Sequence, residues 1–363
     1  MTRDDRKKKR RRSGFLDVMN GLFGLAVLGL VAVVAVFLWG VSVFNAPGPA
    51  EQDAVFFVEP GNGTQTIAVR LAEQGLINDA TMFRAGAWVW DRVDDVRILP
   101  GEYAIPARAS MQQIFDVIRS GKPIEYFVMV NPGQSSYEVA QLLNSPSENL
   151  SGDMVTVPPE GSILPIRHDY FPRDDRAALL KKMQDQMTAA VDRIWGECVA
   201  NRPDVCGAEG TLKSKGEFII LASIVEKETG IASERPIVAS LFINRLRRGM
   251  RLQTDPTILY GLYKGVPQER LIITKSQKEQ ATDYNTYVID GLPPTPIANP
   301  GIAALEAVAN PADTDYLYMM AKVPGDYTAG HHFAETLAEH QENERKYRRQ
   351  EREQAGAAAS ASQ

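Results

Sequence analysis

The sequence predicts an α+β protein in three parts: an N-terminal transmembrane helix, a small α+β module and a larger α+β domain. Three observations carry this. No charged residue lies between Asp17 and Glu51, and Leu22–Phe44 is almost continuously apolar. Short strand-like runs then alternate with helix-period stretches over residues 54–123. Beyond them, an apolar helical run from Phe218 to Gly230 carries two glutamates close to its end.

The first element rests on length and charge. Leu22–Phe44 is 23 residues, about 34 Å as a helix, and a hydrocarbon core is about 30 Å thick. Trp39 near its outer end suits an interfacial ring. The run Lys7-Lys8-Lys9-Arg10-Arg11-Arg12 sits just before it, so the positive-inside rule keeps residues 1–21 cytoplasmic and exports the chain beyond the span. A cleaved signal peptide is the alternative, but its apolar core is only about 7–15 residues. The first thirteen residues carry a net charge of +6 in a chain of −5, leaving −11 on the rest. A body that acidic excludes general nucleic-acid binding, which needs a positive face. The 44% hydrophobic and 23% charged residues exclude wholesale disorder.

After a linker at 45–53, the module of 54–123 opens with the strand-like Val55-Phe56-Phe57-Val58. Thr64 precedes a helix with Ile67, Ala68 and Leu71 on one face, ending at Gly75. Asp79–Trp90 reads as a second helix, Gly101–Pro106 as a strand, and Ser110 caps a helix bearing Ile114 and Ile118. The larger domain, 124–345, begins with Tyr126–Val130, then a helix over Ser135–Leu143. Residues 145–172 read as loop and Asp174–Ile194 as a long helix. Residues 346–363 are expected to be a disordered tail, ending in only Ala, Gly, Ser and Gln. Cys198 and Cys206 are the only cysteines, and an exported compartment favours a loop-closing disulfide between them.

The chain contains no H-E-x-x-H, G-x-S-x-G or Walker A run. His331, His332 and His340 are read as surface or substrate-contacting residues, with no metal site expected. Within Phe218–Gly230, a rotation of about 100° per residue puts Glu228 roughly 20° from the apolar centre near Leu221, and Glu226 about 140° away on a more open side. Burial raises a carboxyl pKa, as a general acid near neutral pH requires. The competing reading is a carboxylate at a fraying helix end that leans into water. Positions i and i+2 diverge on a helix, so these two glutamates cannot flank one glycosidic bond as a pair, and a single acid/base fits better. Downstream, Arg251–Thr257, Tyr284-Asn285-Thr286-Tyr287 and Gly291–Ile297 combine amides, hydroxyls and aromatics on proline-rich loops, which suits a sugar or ordinary turns.

Together these segments resemble the YceG-like (MltG) family of membrane-anchored endolytic murein transglycosylases. The matching text is I-V-E-K-E-T at 224–229, S-E-R at 233–235, L-F-I-N-R-L-R-R-G-M-R-L-Q-T-D-P-T at 241–257, Y-N-T-Y at 284–287, G-L-P-P at 291–294 and G-H-H-F at 330–333. The resemblance implies a LysM-like small subdomain and a YceG-like catalytic domain held at the inner membrane in the periplasm. It implies Glu228 as the catalytic residue, with Glu226, Gln253, Thr254, Tyr284, Asn285, Thr286 and His331 as substrate-binding candidates. Its substrate is peptidoglycan glycan strands, cut between N-acetylmuramic acid and N-acetylglucosamine to leave 1,6-anhydro ends without metal or organic cofactor. Peptidoglycan synthases are the implied partners. A water-using muramidase and a non-catalytic wall-binding scaffold are the alternatives. The chain departs from the family over Glu160–Tyr170, where an aromatic-rich stretch is usual, so no substrate contact is carried over there.

Overall fold

The computed structural model describes residues 3–91, 98–145, 149–268 and 273–361, and the chain divides into two compact units, Met1–Glu125 and Tyr126–Gln363. In the first, α1 (Arg3–Asn45) is one continuous helix whose Val18–Asn45 portion is long and apolar enough to cross a membrane. Its last turn enters the module: Phe44 is buried there and its ring meets Phe83 at 6.4 Å. The segment expected as a linker is strapped down. The Gly48 amide donates to the Arg108 carbonyl at 3.1 Å, and the Arg108 amide donates back to Ala50 at 2.7 Å.

Strand β1 (Ala54–Val58) pairs antiparallel with β2 (Gly101–Ile105), placing Phe56 opposite Tyr103. A lone hairpin is marginal in water. Here α2 (Thr64–Glu73), α3 (Ala80–Asp91) and α4 (Met111–Arg119) supply Ile67, Leu71, Phe83 and Ile114, all fully buried with Phe56 and Tyr103. Each such side chain contributes about 1.5–3 kcal/mol on burial. The helix starts are set by their caps. Asp79 accepts from the Thr81 and Met82 amides, and Ser110 forms a capping box with Gln113.

The second unit is built on α7 (Lys215–Glu228), flanked by α6 (Arg176–Asn201), α8 (Arg235–Arg247), α9 (Asp255–Tyr263) and α11 (Ile302–Ala309). Phe218 and every residue from Ile220 to Val225 are buried. A smaller cluster joins β3 (Tyr126–Met129), α5 (Ser136–Leu143) and β4 (Arg167–Tyr170) through Val128, Leu143, Ile163 and Tyr170. The short α10 (Lys275–Glu279) precedes the Tyr284–Tyr287 loop. The hairpin β5 (Tyr318–Val323) and β6 (Asp326–Ala334) carries His331 and His332, and α12 (Leu337–Ala361), which carries His340, packs on it.

Two expectations are corrected. Residues 167–170, predicted as loop, form β4 against β3, with His168 and Tyr170 buried and Arg167 and Asp169 exposed. This is the period-2 pattern of a half-buried strand, too polar and too close to Pro165 to stand out. The predicted tail is helical through Ala361. Its Ala, Glu, Gln, Lys and Arg are strong helix formers, and they extend a helix already nucleated on the hairpin.

Cys198, in the last turn of α6, is bonded to Cys206, with 5.8 Å between their Cα atoms. The closed loop is short, so loop entropy assigns the bridge about 2.5 kcal/mol. Cys206→Ser should lower the urea midpoint of the second unit accordingly; an unchanged midpoint would show that the bridge adds nothing.

Candidate active site

Helix α7 starts at Ser214, whose hydroxyl accepts from the Glu217 amide, and ends at Glu228, after which Thr229 turns to extended backbone. Because the helix is surrounded by core, its terminal carboxyl is delivered to the core's edge. That carboxyl accepts a hydrogen bond from the Thr254 hydroxyl. Burial pushes the Glu228 pKa above the usual carboxylate range. The Thr254 bond opposes this, the Asp255 charge adds to it, and His331 and Arg245 pull the other way.

Thr254 is buried and occupies the N-cap position of α9, yet makes no capping bond. Its hydroxyl serves Glu228 instead, a departure from ordinary helix chemistry of the kind expected at a site. The rest of the residue is fixed: its amide donates to the Thr286 hydroxyl at 3.0 Å, and its carbonyl accepts from the Thr257 hydroxyl at 2.7 Å. Gln253, just before it, holds a left-handed backbone, φ 49°, with its amide on the Thr286 carbonyl at 3.1 Å and its side chain exposed. For a residue other than glycine that conformation stores of the order of 1–3 kcal/mol, and such residues cluster at functional sites.

The other predicted residues divide. Glu226 does not face an open side. Its side chain is only 6% exposed, accepts from the Gly301 amide at 2.9 Å and lies 3.5 Å from Arg235. Because α7 is buried around nearly its whole circumference, a wheel drawn for one apolar face misplaces this residue. Asn285 and Thr286 are buried at 1% and 0% exposure. The Asn285 side-chain amide donates to the carbonyls of Gln277, Lys278 and Gln280, so it ties its own loop and presents nothing to a ligand. Thr286 reaches the site through its bonds to Gln253 and Thr254.

Tyr284 lines an open groove of about 670 Å³ whose walls include Glu160, Tyr260 and Thr295 but not Glu228. Its hydroxyl meets that of Thr295 at 2.8 Å, and the Lys264 ammonium lies 3.7 Å from its ring centre. Glu160 accepts from the Ser136 amide at 2.8 Å, and burial raises its pKa above the usual range despite that bond.

His331 is held by a residue absent from the predicted set. Glu234 accepts from the His331 amide and from its Nδ1, both at 2.8 Å. Burial pushes Glu234 up, but the two bonds outweigh it and leave its pKa below the usual range. A side chain at Gly330 would overlap the Glu234 carboxylate, so the glycine opens the space for this pair. His332 is next to His331 on a strand and therefore points to the opposite face, while the His340 ring stacks on Tyr318 at 5.1 Å. Arg245 is the second omission. Buried in α8, it donates to the carbonyls of Leu317 at 2.6 Å and Leu252 at 2.7 Å, pinning the strand of chain that leads into Thr254. A guanidinium inside the apolar run Leu241–Leu246 was the available signal, since such a charge needs internal partners.

A family model described as the YceG-like family matches residues 56–346. The chain belongs to the YceG-like family. It is 34% identical over 191 residues to an endolytic murein transglycosylase of Bacillus subtilis (strain 168), a match covering 52% of this chain and 48% of that protein. It is 30% identical over 173 residues to an endolytic murein transglycosylase of Streptococcus pneumoniae serotype 2, covering 45% of this chain and 28% of that protein. The match thus spans about half or less of the length of these relatives. A crystal structure of a yceG-like protein of Listeria monocytogenes aligns with 24% identity and a TM-score of 0.48, over 81% of this chain and 99% of that one.

The raised Glu228 pKa has a consequence for folding. Stability held by the neutral carboxyl is fully present below the unfolded glutamate pKa of about 4.3 and is lost as pH rises through the higher folded value. Glu228→Gln removes that dependence. It should melt with wild type at pH 4 and above it at pH 8; a variant less stable at pH 8 would contradict the burial argument.

Proposed function

We propose that this YceG-like chain is an endolytic peptidoglycan lytic transglycosylase, with Glu228 as its general acid and base. The observation that carries the reading is a carboxyl driven toward its neutral form by burial and gripped on one oxygen by a buried hydroxyl. The names of its relatives supply the substrate, murein, and family membership makes the transfer reasonable.

The Thr254 hydroxyl donates to Oε1 of Glu228, so the acid's own proton resides on Oε2. That proton goes to the glycosidic oxygen as the bond from muramoyl C1 breaks and positive charge develops on the sugar ring. Glu228 is left as a carboxylate, which the charge of Arg245 favours. It then takes the proton of the muramoyl 6-hydroxyl as that oxygen bonds to C1. The product is a 1,6-anhydromuramoyl end; no water is consumed and no step calls for a metal or organic cofactor. Gln253 and His331 are the proposed sugar contacts, one exposed on a strained backbone, the other held by Glu234. Glu226, Asn285 and Thr286 support the site rather than touch the sugar. Tyr284 contributes through the neighbouring groove, along which a glycan strand would continue.

The same reading makes α1 an inner-membrane anchor with a cytoplasmic N-terminus, and places the small module and the second unit in the periplasm. The small module is LysM-like and holds glycan, and the synthases that extrude new strands are the partners. Purified glycan strands incubated with wild type should yield ends lighter by one water than hydrolysis products. Glu228→Gln should cut the rate by about 10²–10⁴-fold while the protein stays folded. Hydrolytic ends would make it a muramidase, and binding without cleavage a scaffold. An unimpaired Glu228→Gln variant would exclude this glutamate.

A further inference from the structure

Helix α1 does not end in a free tether. Gly40 approaches the Met82 side chain of α3, and a side chain at Gly86 would overlap the Phe44 ring. The centre of the apolar stretch Leu22–Phe44 is Val33. Gly40 is seven residues further on, which is about 10 Å along the axis, whereas the half-thickness of a hydrocarbon core is about 15 Å. Whatever packs against Gly40 and Phe44 therefore lies at the outer edge of the bilayer that α1 crosses.

The side of α3 turned away from its own core suits that level. Thr81, Arg84, Ala85 and Trp88 are exposed and recur at spacings of three and four, hence on one stripe, opposite the buried Phe83 and Ala87. Trp88 is 59% exposed. An indole places its apolar body among acyl chains and its N–H at the headgroups, and an arginine can lay its methylenes in the same layer with its charge on phosphate. Between the two helices lies a hollow of about 290 Å³ lined by Phe37, Val41, Phe44, Met82, Ala85 and Gln112, among other residues. Its walls are almost wholly apolar, which favours a hydrocarbon chain over water.

We propose that α3 is a membrane-surface helix: the small module rests on the outer leaflet, with the Arg84–Trp88 stripe in the interfacial layer and a phospholipid acyl chain in the hollow beside α1. This rests on the reading of α1 as an uncleaved anchor, and the test separates the two. The native cysteines are bonded to each other, so single-cysteine variants of the full chain accept a thiol-reactive fluorophore at one place. Val33→Cys, Ala85→Cys and Glu73→Cys are reconstituted into vesicles of phosphatidylethanolamine and phosphatidylglycerol and exposed to quenchers of graded depth. The label at 33 should be quenched by mid-bilayer nitroxide lipid. That at 85 should be quenched by headgroup-level nitroxide lipid and shielded from aqueous iodide, and that at 73 should be open to iodide. Iodide access at 85 equal to that at 73, with 33 still deep, would overturn the docking of α3 and leave the anchor standing. Iodide access at 33 would overturn the anchor and the docking with it.

Discussion

A helix buried on nearly all sides has only its ends available for chemistry, and α7 runs from Ser214 to the edge of its domain under that constraint. Phe218 and the run Ile220–Val225 fill the space between α6, α8 and α11, so the position of Glu228 is set by packing across the whole unit. A half-buried carboxyl held this way by Thr254 is less free to turn into water than one on a surface helix. Its environment is imposed by close-packed core side chains, which makes a shifted proton affinity durable.

Around that fixed carboxyl the polar groups are arranged at some local expense. Thr254 leaves α9 without its side-chain cap, a loss typically worth about 1 kcal/mol. Gln253 holds an unfavourable backbone, and Arg245 is buried with its donors on carbonyls that lock the incoming chain. Thr286 completes the frame by bonding both Thr254 and Thr257. These groups form one connected network, in which the loss of a single member leaves buried donors or acceptors unmatched.

What the sequence disclosed, and what it hid, divides along the range of the interactions. The long apolar helix, the Asp79 and Ser110 helix starts and the apolar company of Glu228 are local matters of charge, capping and periodicity, and they are visible in the chain. Strand β4 was hidden because four polar residues become a strand only when β3 is beside them. Glu226 was misplaced because the wheel knows one helix and not the loop at Gly301. The partnership of Glu234 with His331 joins residues 97 apart, and the Asn285 amide is consumed by carbonyls that no motif announces. Resemblance to a family marked these segments; the packing shows which of their side chains are tied into the fold.

The strapped connection between α1 and the first module also changes the thermodynamics of surface contact. For a soluble protein, one indole and one guanidinium are far too little to hold it on lipid, because association must first offset the loss of translational and rotational freedom. With α1 as the proposed anchor that freedom is already gone, because the Gly48–Arg108 and Arg108–Ala50 bonds and the Phe44 ring fix the module to that helix. Under that proposal, contact with the leaflet is an intramolecular event at high effective concentration. Interactions of a few tenths of a kcal/mol then suffice to set tilt, which turns bilayer thickness and headgroup charge into variables that steer the orientation of the module.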